Sequence, residues 1–113
     1  MEDEIQLKVS RQGDRLLVFW RGDVDMANVT TLEQRTLGTV QNSDSTVIID
    51  LTDVAYLDSA GIRSLLTIRR RLEDRQQQLS LVLPDDSLLR KALEIGGVPS
   101  VIPVHPSVAA LEP

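Results

Sequence analysis

Few side chains in this sequence of 113 residues are equipped for covalent chemistry, and the best placed of them is Ser59. It stands between Asp58 and Ala60-Gly61, directly after the run Val54-Ala55-Tyr56-Leu57. A serine hydroxyl can attack as a nucleophile or receive a group, and attack requires a neighbouring base to take its proton. The sequence offers no obvious base. Its only histidine, His105, lies beside Pro106 in what reads as an exposed turn, and it has no cysteine. The Gly-x-Ser-x-Gly nucleophile elbow is absent, because Leu57 stands where that motif needs its first glycine. No phosphate-binding or dinucleotide loop is present either, and Gly96-Gly97 reads as a helix stop. Asp50, Asp53 and Asp58 lack the spacing of a calcium loop and read as surface acids. These exclusions leave no catalytic residue, no metal ligands and no cofactor in prospect. Ser59 is better suited to be a substrate than a catalyst.

The elements that must position Ser59 emerge from hydrophobic periodicity. Ile5, Leu7 and Val9 alternate with Gln6 and Lys8, and Leu16 to Trp20 form a second apolar run after the Gln12-Gly13-Asp14 turn. Together they predict an antiparallel hairpin, with Phe19 and Trp20 as core or strand-end residues. Gly22-Asp23-Val24-Asp25 ends the second strand, and Asp25 is expected to cap a helix over about Met26 to Gln41. Val29, Leu32, Leu37 and Val40 supply its buried stripe, while Thr30-Thr31 gives it modest intrinsic propensity, so it depends on packing. The turn cluster Asn42-Ser43-Asp44-Ser45 leads into a strand from Thr46 to Leu51, buried on both faces, and then into a loop from Tyr56 to Gly61.

Ile62, Leu65, Leu66, Ile68 and Leu72 recur at helical spacing, opposite Arg63, Thr67, Arg70 and Arg71. Asp58 and Ser59 therefore fall at a strand-to-helix corner, where α/β proteins tend to keep working residues. Taken alone, Ser59 is adequately explained as a helix cap worth about 1 kcal/mol, and Asp58 as an acid favoured by the helix dipole. Leu79, Leu81 and Leu83 mark the next strand, closed by Pro84, and Asp85 or Asp86 is expected to cap a helix carrying Leu88, Leu89, Ala92 and Leu93. Val101 to Val104 reads as a final strand that Pro103 confines to an edge or strand end, and Pro106 to Leu111 as a terminal helix cut short at Pro113. Strands alternating with helices after a hairpin predict an α/β fold with a mixed sheet of about four to five strands, the later ones parallel, packed with about four helices.

Composition narrows the setting. The length suits one domain over residues 1–113 with its own core, and the lack of cysteine is compatible with a reducing cytoplasm. No apolar run approaches the roughly 18 residues of a membrane span, and Met1-Glu2-Asp3-Glu4 is acidic rather than the basic start of an export signal. Seventeen acidic against 12 basic residues give a net charge of −5, the wrong sign for direct contact with nucleic acid. The arginines at 63, 69, 70, 71 and 75 alternate with Glu73 and Asp74 and read as a solvated helix face.

Asp58-Ser59-Ala60-Gly61-Ile62 behind an apolar strand, with Gly22-Asp23-Val24-Asp25 upstream, resembles the STAS domain of the anti-sigma-factor antagonists, and the element order agrees over nearly the whole chain. The resemblance implies the STAS fold. It also implies a regulator whose unphosphorylated form binds an anti-sigma factor with serine-kinase activity and so frees a sigma factor. Phosphorylation of Ser59 by that kinase would switch binding off, and a phosphatase would reset it. Gly22, Asp23, Asp25, Asp58, Ser59, Ala60, Gly61 and Ile62 would form the docking surface, with Gly61 leaving room for a visiting nucleotide and Ala60 leaving Ser59 as the one hydroxyl in the turn. Other uses of the corner stay open: a STAS adaptor subunit of a signalling or lipid-transport complex that is never switched, a small hydrolase, or a domain that binds a nucleotide or lipid itself. Oligomeric state is likewise open.

Overall fold

The computed structural model describes residues 7–111. Ile5 and Gln6, expected in the first strand, the acidic start Met1 to Glu4 and the expected stop at Pro113 lie outside the described residues. The hairpin forms as its alternation requires: β1 (Leu7–Gln12) pairs antiparallel with β2 (Arg15–Val24), from Leu7 opposite Trp20 to Gln12 opposite Arg15. Gly13 supports the tight turn with φ +60°, a backbone conformation that side chains with a Cβ rarely adopt. Leu16, Val18 and Trp20 are fully buried at period two along β2.

Helix α1 (Val29–Thr39) then leads to β3 (Thr46–Leu57), α2 (Ser59–Glu73), β4 (Gln78–Val82), α3 (Leu89–Ile95) and β5 (Val104–His105). Short 3-10 turns occupy Val98–Ser100 and Val108–Leu111. The sheet order is β1-β2-β3-β4-β5, with every pair after the hairpin parallel. Val47, Ile48, Ile49 and Leu51 in central β3 are all buried, as a parallel strand covered on both faces requires.

Several boundaries differ from the sequence reading, each for a local reason. Strand β3 runs to Leu57 rather than Leu51, because Val54 and Leu57 are buried and pair with Gly22 and Val24 of β2. Helix α1 starts at Val29 rather than Met26. Asp25 closes a turn first: its side chain accepts the Ala27 amide at 2.9 Å, and its carbonyl accepts the amides of Asn28 and Val29 at 3.1 and 2.9 Å. Leu37 and Val40 are only partly buried, packed against the core edge.

Neither Asp85 nor Asp86 caps α3. The Leu89 amide bonds instead to Ser87 Oγ at 3.1 Å, and Asp85 pairs with Arg90 at 3.3 Å. Leu88 precedes the helix and is exposed rather than part of its buried stripe. The last strand shrinks to Val104–His105 at the sheet edge, so His105 is a half-buried strand residue and not an exposed turn residue. The terminal helix is a 3-10 turn, which leaves three α-helices among the described residues.

Two polar anchors were not visible in the sequence. The indole of fully buried Trp20 donates to Thr36 Oγ1 at 2.9 Å, fixing β2 to α1. Asp44, assigned to a polar turn cluster, is buried. Its carboxylate accepts Arg11 Nε and Nη2 at 2.8 and 2.9 Å and the Gln41 amide at 2.8 Å. The carbonyl of the same residue accepts Gln77 Nε2 at 2.6 Å, so one loop ties β1 to the start of β4.

Candidate functional site

Two adjacent strand ends build the corner around Ser59. The register between β2 and β3 slips between Phe19 and Arg21 and again between Gly22 and Asp23, and Gly22 takes φ +87° there. Such irregularities bend a strand and re-aim the residues beyond the bend. Here they deliver Asp23 and Val24 opposite Tyr56 and Leu57, so the segment after β2 emerges beside the start of α2. The Asp58 amide donates to the Val24 carbonyl at 3.3 Å, extending that contact past the strands. Asn28 fixes the neighbouring loop from the other side: its Nδ2 donates to the Asp23 carbonyl at 2.8 Å and its Oδ1 accepts the Asp25 amide at 3.1 Å.

Asp58, not Ser59, caps α2. Its Oδ1 accepts the Gly61 amide at 3.0 Å, and its Oδ2 accepts the Met26 amide at 3.3 Å. An aspartate in extended conformation before a helix fills this role well, because its short side chain reaches the third residue on. Ser59 is the first residue of the helix. It is exposed, and its hydroxyl makes no hydrogen bond to a described residue. The cap of α2 is thus supplied by its neighbour and does not depend on the serine hydroxyl.

Gly61 has a different reason from the one the sequence suggested. It is buried, and a Cβ placed on it would meet Leu57 Cδ1 at 2.5 Å and Val24 Cγ1 at 3.2 Å. The glycine permits close packing of α2 on the strand ends rather than room for a visitor. Ile62 is half-buried and faces α3, since a Cβ on Gly96 would lie 2.7 Å from Ile62 Cγ2. Ala60 is half-buried at the edge of a cleft of about 210 Å³ between α1 and α2, lined also by Val29, Glu33, Arg63, Ser64 and Thr67. Buried Ser64 donates to Glu33 Oε1 across it at 2.6 Å.

Of the residues singled out by sequence, the structure thus brings Gly22, Asp23, Asp25, Asp58, Ser59 and Ala60 to one corner, with Gly61 and Ile62 packing beneath it. It adds two that sequence reasoning passed over. Met26 is 78% exposed and tethered by its amide to Asp58, and Tyr56, opposite Asp23 in the register, is 52% exposed. Met26 falls where the sequence predicts the start of a helix, beside Ala27 and Val29, so spacing alone does not mark it as an exposed site residue.

Comparison with known proteins accords with this geometry. The sequence profile of the STAS domain matches residues 6–111. The anti-sigma-B factor antagonist of Listeria monocytogenes is 30% identical over 105 residues, covering 92% of this chain and 90% of the relative. The crystal structure of an anti-sigma factor antagonist from Mycobacterium paratuberculosis superposes with a TM-score of 0.83 at 24% identity, over 97% of this chain and 92% of that one. The Bacillus cell fate determinant SpoIIAA in its phosphorylated form shares the fold, with a TM-score of 0.67 at 18% identity over 93% of this chain and 96% of that one. The chain belongs to the STAS-domain family of anti-sigma-factor antagonists.

Proposed function

We propose that this protein is a phosphorylation-switched antagonist: unmodified, it binds an anti-sigma factor with serine-kinase activity and releases a sigma factor, and phosphate on Ser59 ends that binding. The observation that carries the proposal is the division of labour at the corner. Asp58 does the capping, while the Ser59 hydroxyl is exposed and unengaged among the described residues. A group on that hydroxyl can be added and removed while the fold stays intact. Phosphorylation brings roughly 1.5 to 2 negative charges at neutral pH, enough to disrupt a surface fitted to a neutral hydroxyl.

A solved relative of the same fold exists in phosphorylated form, which supports the reading. The docking surface is the rim formed by exposed Asp23 and Ser59 with half-buried Asp25, Asp58 and Ala60, steadied by Gly22, Gly61 and Ile62. Residues 1–113 act in it as one STAS domain in the cytoplasm, without an enzymatic activity of their own, and a partner phosphatase restores the binding form. ATP chemistry belongs to the kinase. Nucleic acid is not contacted directly, given the net charge of −5.

Incubation with ATP and the cognate kinase, followed by intact-mass measurement, tests this. One phosphate should be gained and should map to Ser59, and Ser59→Ala should gain none. A protein that stays unmodified, as an unswitched adaptor would, or that is modified elsewhere, contradicts the proposal.

A further inference from the structure

Arg63 lies four residues after Ser59 on α2, so the two side chains share a face one turn apart. Helical side chains lean toward the N-terminus, and a long one covers the turn before its own Cα. Arg63 lines the α1–α2 cleft beside Ala60, and from that position on the helix an arginine can reach back over the turn that carries Ser59. It is exposed, and its guanidinium has no ion pair or hydrogen bond to a described residue; only its carbonyl is used, by Thr67 Oγ1 at 3.1 Å. Arg69, by contrast, is already paired with Glu73 at 3.1 Å on the same helix.

The acids nearby have other partners or none. Glu33, which lines the same cleft as Arg63, takes the Ser64 hydroxyl, and Asp58 takes two amides. Among the charged side chains at the corner, Asp23, Asp25, Asp58 and Arg63, only the last is a cation. A phosphate on Ser59 would join a rim whose charged side chains are three carboxylates and the guanidinium of Arg63, which has no partner among the described residues.

We propose that phosphate on Ser59 is held within the chain by the guanidinium of Arg63, in a charge-assisted pair spanning one turn of α2. The planar fork of arginine can direct two N–H groups at two phosphate oxygens, which suits this role better than a lysine. The pair deepens the switch proposed above and rests on it. Modification then changes the surface twice: an anion appears at Ser59, and the free cation at the rim of the α1–α2 cleft is withdrawn. A partner that had used Arg63 loses that contact in the same event.

The test places phosphoserine at position 59 during translation, by an expanded genetic code, so that no kinase is needed. Titration monitored by phosphorus NMR then gives the second ionisation of the phosphate in the otherwise unaltered protein and in Arg63→Gln, Arg63→Lys and Arg70→Gln. Loss of the cation in Arg63→Gln should raise that ionisation by about 0.15 to 0.4 pH unit. Arg63→Lys should stay nearer to the unsubstituted protein, and Arg70→Gln should leave the value where it was. A shift below about 0.1 unit in Arg63→Gln, or an equal shift in Arg70→Gln, overturns the pair. Failure of a kinase to modify Ser59 is a separate result that bears on the proposed switch alone.

Discussion

The carboxylate of Asp58 accepts the main-chain amide of Met26 at 3.3 Å across 32 residues of sequence, while its other oxygen caps α2 through the Gly61 amide at 3.0 Å. One side chain therefore holds the β2–α1 loop and the Ser59 turn in a fixed relation. Asp58→Ala should lose about 1 kcal/mol from the cap and up to about 1 kcal/mol more from the bond to Met26. Asp58→Asn keeps acceptor oxygen and should lose less. Urea unfolding measures both, and hydrogen exchange at the Met26 amide should accelerate in the alanine variant. An alanine variant with unchanged midpoint and unchanged exchange contradicts this role.

Trp20 tests the energetics of the core below the site. Its indole N–H is fully buried and has Thr36 Oγ1 as acceptor at 2.9 Å. Thr36→Val keeps the volume and removes the acceptor, which should cost about 1 to 3 kcal/mol for a stranded donor. Thr36→Ser keeps the bond and should cost about 1 kcal/mol for the missing methyl. If valine proves as stable as threonine in urea unfolding, the hydrogen bond is not what anchors β2 to α1.

Acid should weaken the fold through Asp44. Hydrogen bonding from Arg11 outweighs burial, which acts the other way, and with help from the Gln41 amide and the Arg11 charge it holds this carboxyl below its usual range. A carboxyl with a lowered folded value binds its proton more readily when unfolded. Its stabilisation is complete above the unfolded value of about 3.9 and is lost as pH falls through the lower folded value. At pH 6 Asp44→Asn should be less stable by on the order of 2 kcal/mol. That gap should narrow as the pH is lowered below about 4. Urea midpoints of both proteins across this range give the answer, and a gap that does not depend on pH is the opposing result.

Much of the fold was legible because apolar spacing reports burial directly: Leu16, Val18 and Trp20 at period two, and Leu65, Ile68 and Leu72 at helical spacing, all face the core. The second half of β3 was not legible. Exposed Thr52, Asp53, Ala55 and Tyr56 interrupt its pattern, and only pairing with the irregular end of β2 makes it a strand. Asp44 was misplaced because burial of an acid depends on a partner 33 residues away, Arg11, which local spacing does not reveal. At the site, the corner itself was readable from the change of period after Leu57. Which of two adjacent polar residues capped the helix was a matter of backbone geometry, and Asp58 in extended conformation won. That outcome sharpens the case for Ser59, whose hydroxyl is freed by it.

Whether charge at Ser59 breaks partner binding is tested most directly by calorimetric titration of the cognate anti-sigma factor into three forms of the protein: unmodified, Ser59→Ala and phosphorylated at Ser59. The first two should bind alike, and the phosphorylated form should bind about 100-fold more weakly or worse, as expected when added negative charge and bulk meet a surface fitted to a neutral hydroxyl. Equal affinity of the phosphorylated and unmodified forms would contradict the switch.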